Sequence, residues 1–258
     1  MKFFVLLFAL STLAIFTGSN ARAADDERPL VFVYADTYPP LSHGKGTEVE
    51  GLLPDLVKQI VEDKMGQKVR HWGEAWPRAQ RSVKVGSAFA LITSLNPERL
   101  AYAHASRQPV LTLPFRFFAI KGSKAADAVA KSASVEELSG YRFCKANADG
   151  WSKRYLGVRG ITYTEVRTYE ICLRMMERGR VDVLVHSEKV IKGLAETLNL
   201  TDKLAIHPLV VPESPAFHVL VSKKADIGEK FLSQFDSIFA AYFGGEDYAQ
   251  LKQRYGYH

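Results

Sequence analysis

The hexapeptide "SLNPER", Ser94 to Arg99, puts an arginine where elementary electrostatics disfavours one. Asn96 has the side chain of a helix N-cap, and Pro97 suits the first helical position because it has no N–H to satisfy there. Arg99 then falls in the first turn, at the positive end of the helix dipole. Free backbone N–H groups and a guanidinium facing one spot describe an anion site. A solvated arginine paired with a nearby carboxylate is the plainer alternative, and the hexapeptide alone favours it. Other chemistry has little footing. The chain has no G-x-S-x-G elbow, no phosphate loop and no G-x-G-x-x-G, and "GKGT" at 44–47 lacks the required spacing. The seven histidines are dispersed without metal-ligand spacing, so neither a metal nor a cofactor is expected.

The chain around these residues has 258 residues, 47% of them apolar, and a net charge of +6. Its opening, Lys2 followed by "FFVLLFALSTLAIF" and then "ARA" at 21–23, predicts a signal peptide cleaved after Ala23. The apolar run is short for a membrane anchor, and no cysteine stands near the cleavage point to take a lipid. Export to the periplasm as a soluble monomer is the expectation. Without residues 1–23 the net charge falls to +4, scattered and without the basic cluster or interleaved aromatics of a nucleic-acid surface. In an exported chain the two cysteines, Cys144 and Cys172, are read as one disulfide, with two buried thiols as the alternative.

The elements that must position Arg99 can be read from periodicity. "LVFVYAD" (30–36) is a buried strand, and "PDLVKQIVEDKMG" spaces its apolar residues as a helix that stops at Gly66. "KVRHW", the helix "WPRAQRSVKVG" and the strand "AFALIT" follow, the last running into SLNPER. The alternation restarts with the strand "YRFCKANA", a helix at 152–157, "ITYTEV", the helix "YEICLRMMERG", "VDVLVHS", a further helix, and "LAIHPLVV". Strands alternating with helices predict α/β architecture with parallel sheets covered on both faces. Extended crossings near 109–120 and 209–221 flank the second block, which suggests two lobes joined by two strands.

In order and spacing, "DTYPPLS", "VEGLLPDLVKQIVEDKMG", "TSLNPERLAYAHAS", "VEELSGYRF", "MMERGRVDVLV" and "YAQLKQRYG" resemble a bacterial extracytoplasmic solute-binding protein of the polar amino-acid type (family 3), over nearly the whole chain after residue 23. The resemblance implies the type II periplasmic-binding fold: two Rossmann-like lobes, 24–112 with 212–258 and 113–211, joined by two hinge strands. It implies that Arg99 grips the ligand carboxylate, helped by the hydroxyl of Ser94, and that Tyr38 covers the ligand. Asp36 ends the first strand where such sheets contact ligands, or else stabilises a turn. Trp76 and Arg78 line the same cleft, or are core and solvated helix respectively. Amino-acid binders of this family carry an aspartate after "GRVDVLV" that pairs with the α-ammonium. Here that position counts to Ser187, beside Glu188, with Ser187 as a helix N-cap in the alternative. "ANADGWSKRY" lacks the family's small-residue loop and offers Asp149, Trp151 and Ser152 as contacts, Trp151 otherwise being packing.

These residues imply a binding protein that closes over a small carboxylate-bearing solute, an amino acid or a related organic acid, and presents it to an ABC-type permease. Sensing for a membrane receptor is the alternative. A periplasmic dehydratase of the same fold ranks third, with Glu188, His186 or Asp36 as its acid. An α-ammonium without a carboxylate partner is costly to bury, so Ser187 argues against ordinary α-amino acids.

Overall fold

The computed structural model describes residues 28–208 and 210–257, so the expected signal peptide at 1–23 lies outside the described residues. Strand β1 (Leu30–Ala35) is buried from Phe32 onward. A small hairpin of β2 (Thr37–Tyr38) and β3 (Ser42–His43) follows it. Helix α1 (Leu52–Val57) continues as a π-helical stretch over Lys58–Lys64, where the sequence pattern suggested one uniform helix. After β4 (Val69–Glu74), α2 (Trp76–Val85) ends at Gly86, whose φ of 83° closes the helix in a conformation that costs glycine no Cβ clash. Strand β5 (Ala90–Ser94), the single turn α3 (Pro97–Leu100) and β6 (Ala103–Ala105) complete the first run.

The chain then crosses through β7 (Leu111–Thr112) into β8 (Phe115–Ile120). Helix α4 (Lys124–Lys131) lies in a stretch to which the sequence reading assigns no element, although "KAADAVAK" buries Ala125, Ala126 and Val129 on one face; Ser123 caps it by accepting from the Ala126 amide. Next come β9 (Phe143–Ala146), α5 (Gly150–Gly157), β10 (Tyr163–Val166), α6 (Tyr169–Glu177), β11 (Val183–Ser187), α7 (Glu188–Thr197) and β12 (Leu204–Ile206). Strand β13 (Ala216–Ser222) returns to the first body, followed by α8 (Gly228–Tyr242) and α9 (Glu246–Arg254).

Two sheets result. The first runs β4-β1-β5-β13-β6, with β7 also on β13; the second runs β10-β9-β11-β8-β12. Neither is purely parallel, which corrects the reading from alternation alone. The strands carrying the two crossings, β13 and β8, pair antiparallel with their neighbours. A strand arriving from the other body has no helical crossover to turn it around, so antiparallel pairing is open to it. One apolar core cluster spans both bodies, and a smaller one beneath α2 contains Val33, Ala79, Val83, Leu91 and Leu220. Cys144 on β9 and Cys172 on α6 are bonded, pinning that helix to the second sheet across 28 residues of chain.

Candidate functional site

Arg99 owes its place to three local choices. Strand β5 stops at Ser94, Asn96 takes the N-cap with its Oδ1 accepting from the Arg99 amide at 2.7 Å, and Pro97 opens the turn. The side chain folds back along this turn and is only 3% exposed. Its Nη1 donates to the Ser94 carbonyl (2.8 Å) and hydroxyl (3.1 Å), and its Nε donates to Gln80 Oε1 at 3.0 Å. The guanidinium lies over the Trp76 ring, 5.6 Å from the centroid. Nη2 has no hydrogen-bond partner among the described residues. Burial lowers the pKa of the group, and nearby tyrosines and Asp149 oppose that, so the guanidinium keeps its charge at any physiological pH.

The second body supplies the facing wall. The carbonyl of Ala148, a residue held at a φ of 60°, accepts from both Trp76 Nε1 and Gln80 Nε2, each at 3.2 Å. Asp149 follows as the N-cap of α5: one carboxylate oxygen accepts from the Ser152 amide at 3.0 Å and the other from the Tyr169 hydroxyl. Burial pushes the Asp149 carboxyl up, but His186, the Ser152 donors and the Tyr169 hydroxyl outweigh it and hold the group below its usual value. His186, near the end of β11, is 6% exposed and packed against the rings of Tyr38, Phe115 and Tyr169 at 5.8, 4.7 and 4.3 Å. Burial pulls its imidazole down to about 4 despite the neighbouring Asp149, so at neutral pH it is uncharged. Its Nδ1 has no hydrogen-bond partner among the described residues.

Tyr38, Trp76, Ser94, Arg99, Asp149 and Trp151 therefore meet around one cavity of about 50 Å3 between the two bodies, with His186 and Phe115 beside them. Trp151 also packs, stacking on Tyr155 at 4.6 Å and donating from Nε1 to the Glu213 carbonyl at 2.9 Å. The wall is mostly apolar and rich in aromatic rings, with one cation, Arg99, and one anion, Asp149. Among the described residues, no group of three histidine, cysteine, aspartate or glutamate side chains could hold a metal ion.

Five other residues read from the sequence do not line this cavity, among them Ser152, which is fully buried with its amide on Asp149. Arg78 is exposed on α2. Asp36 lines a separate groove with Glu170, Lys189 and Lys192. Ser187 and Glu188 line yet another cavity, and Glu188 is held by Arg116 and Lys192, each at 2.6 Å. Ser187 does occupy the N-cap position of α7, but its hydroxyl makes no capping bond. Side chains alternate along a strand, and at the end of β11 it is His186 that lines this cavity while Ser187 lines the other. Gln80 and Ala148 were not foreseen. Gln80 was findable, because it stands four residues after Trp76 on one helical face.

No protein-family model matches the chain, and no curated protein matches it in sequence. Solved structures do match. A histidine kinase sensor domain with similarity to periplasmic binding proteins superposes with a TM-score of 0.76 at 19% identity, covering 90% of this chain and 97% of that one. An ancestral arginine-binding protein bound to glutamine gives 0.72 at 16%, covering 89% and 98%. An arginine 3rd transport system periplasmic binding protein from Legionella pneumophila gives 0.73 at 13%, covering 88% and 99%. The fold is that of the periplasmic binding proteins, spanning the full length of these neighbours.

Proposed function

We propose that the protein is an extracytoplasmic solute-binding protein, periplasmic after loss of its leader, that closes over a small carboxylate and anchors it on Arg99. The observation that carries this reading is the buried guanidinium with Nε and Nη1 committed to the protein and Nη2 left over in a cavity between two bodies. An arginine held at two of its nitrogens is pre-organised, so the third can meet a carboxylate without further ordering.

The charge balance bears on the solute. Arg99 and Asp149 bring one positive and one negative charge to the same cavity while His186 is neutral. A zwitterion keeps the closed cavity neutral. The argument against α-amino acids rested on Ser187, and with Ser187 outside the cavity and Asp149 inside it that objection lapses. Amino acids and related carboxylates are the solute class we put forward, for delivery to an ABC-type importer or, as in the sensor-domain neighbour, for signalling. A dehydratase gains no support from Glu188, whose carboxylate is tied up away from the cavity.

The test is a thermal-shift screen of amino acids, keto acids and dicarboxylates on protein unfolded and refolded to remove carried-over ligand. A true ligand at ~100 times its Kd stabilises the native state by about 2.7 kcal/mol. Stabilisation of the wild type but not of a folded Arg99→Ala variant is expected. A ligand that stabilises both equally overturns the anchor, and no response to any carboxylate overturns the solute class.

A further inference from the structure

A second cavity, of about 480 Å3, shares no lining residue with the first. It is bounded by the crossing segment at Leu111 and Pro114, by the start of α7, and by the end of the chain at Lys252 and Tyr257. Its volume falls within the usual range of small-molecule sites. Two hydroxyls in its wall make no well-aligned hydrogen bond among the described residues: those of Ser187, 1% exposed, and Tyr257, 7% exposed. They lie close enough for a poorly aligned bond to each other, which leaves hydrogen-bonding capacity unused on both. Buried polar groups in native proteins are almost always well paired, so two under-satisfied hydroxyls in one wall are a signal.

The charges are uneven too. Glu188 and Arg116 neutralise each other at 2.6 Å, and Lys192 also bonds Glu188. Lys189 and Lys252 are in no ion pair among the described residues. The ten-residue α7 begins here as well, without a side-chain cap, although its Glu188 amide already donates to the Pro114 carbonyl at 3.3 Å. The remaining wall is apolar, and it includes Val210 and Phe243, exposed by 41% and 50%.

We propose that this cavity is a second ligand site, for an anion with an apolar body such as a medium-chain or aryl carboxylate. The head sits between Lys189 and Lys252, where the Ser187 and Tyr257 hydroxyls can donate to it. The body lies along Leu111, Val210 and Phe243. Leu111 and Pro114 belong to the crossing from one body to the other, so an occupant touches the segment on which any relative movement of the bodies must turn.

Calorimetric titration of the full chain with decanoate, below its micellar concentration, tests the site. Saturable binding is expected, weakened at least about tenfold in Lys189→Glu/Lys252→Glu with decanol binding unimproved by the wild-type charges. Phe243→Asp, at a half-exposed position whose ring packs on Phe239 and Tyr248, is expected to weaken decanoate similarly, and Val210→Asp, 41% exposed, serves as a further variant if either of the others does not fold. The proposal is overturned by absence of saturable binding to the wild type, by unchanged affinity in the folded variants, or by loss of decanoate binding in Arg99→Ala, which would place it in the first cavity.

Discussion

Arg99 Nη1 reaches two oxygens of one residue, the carbonyl of Ser94 at 2.8 Å and its hydroxyl at 3.1 Å. The last residue of β5 thereby fixes the guanidinium plane. A lysine keeps the charge but cannot hold a carbonyl, a hydroxyl and Gln80 while still presenting a free donor. Arg99→Lys is therefore expected to fold and to weaken carboxylate binding by about 2–5 kcal/mol, tens of fold or more. Calorimetry returning wild-type affinity for the lysine variant would show that charge alone suffices.

Asp149→Asn separates the two halves of a zwitterion. Asparagine still caps α5 by accepting from the Ser152 amide, so the fold is preserved. What disappears is the negative charge, together with the acceptor for the Tyr169 hydroxyl, which can instead accept from the new amide NH2. Any α-amino acid the wild type binds is expected to lose at least about tenfold, while its keto-acid counterpart changes little. Equal losses for both would make Asp149 a purely structural residue.

Acid destabilisation should carry the mark of His186. Its imidazole takes a proton at an ordinary value near 6.5 when unfolded but only at about 4 when folded. Between those values the unfolded chain binds a proton that the native state refuses, so stability falls as pH drops from about 6.5 to about 4 and levels off for this group below that. The contribution is roughly 3 kcal/mol. Urea midpoints for the wild type and His186→Gln at pH 7 and pH 4.5 check it. The variant is expected to lose much less over that interval; parallel losses in both proteins would assign the acid sensitivity elsewhere.

Removing the disulfide is a stability test independent of any ligand. Cys144 and Cys172 are 1% and 0% exposed and close a loop of 28 residues. The paired Cys144→Ala/Cys172→Ala variant is expected to lose roughly 3–4 kcal/mol. A loss under about 1 kcal/mol would mean that helix α6 is held by packing alone.

The backbone position of Arg99 was legible in the sequence because the cap and the proline that set it lie within six residues, but its burial was not, since Gln80 and Trp76, which hold the side chain, stand 19 and 23 residues away. The strands and most helices were legible for a similar reason, since their periodicity is contained in the segments themselves. His186 was not, because a strand's two faces differ by a single residue and nothing in "VLVHSEKV" says which faces the cavity. Asp149 was named as a contact, but its pairing with Tyr169 spans 20 residues and depends on how α5 and α6 pack. The bonds from Trp76 and Gln80 to Ala148 span 72 and 68 residues and exist only because two separate bodies meet. Local rules carry no information about such meetings.

Those last two bonds give one helix face two attachments. Trp76 and Gln80 each donate to the Ala148 carbonyl of the second body, while Gln80 also accepts from Arg99 Nε and Trp76 lies beneath its guanidinium. Any shift that draws Ala148 away therefore pulls on the two side chains that steady Arg99. The spacing of the bodies and the aim of the guanidinium are mechanically linked through α2.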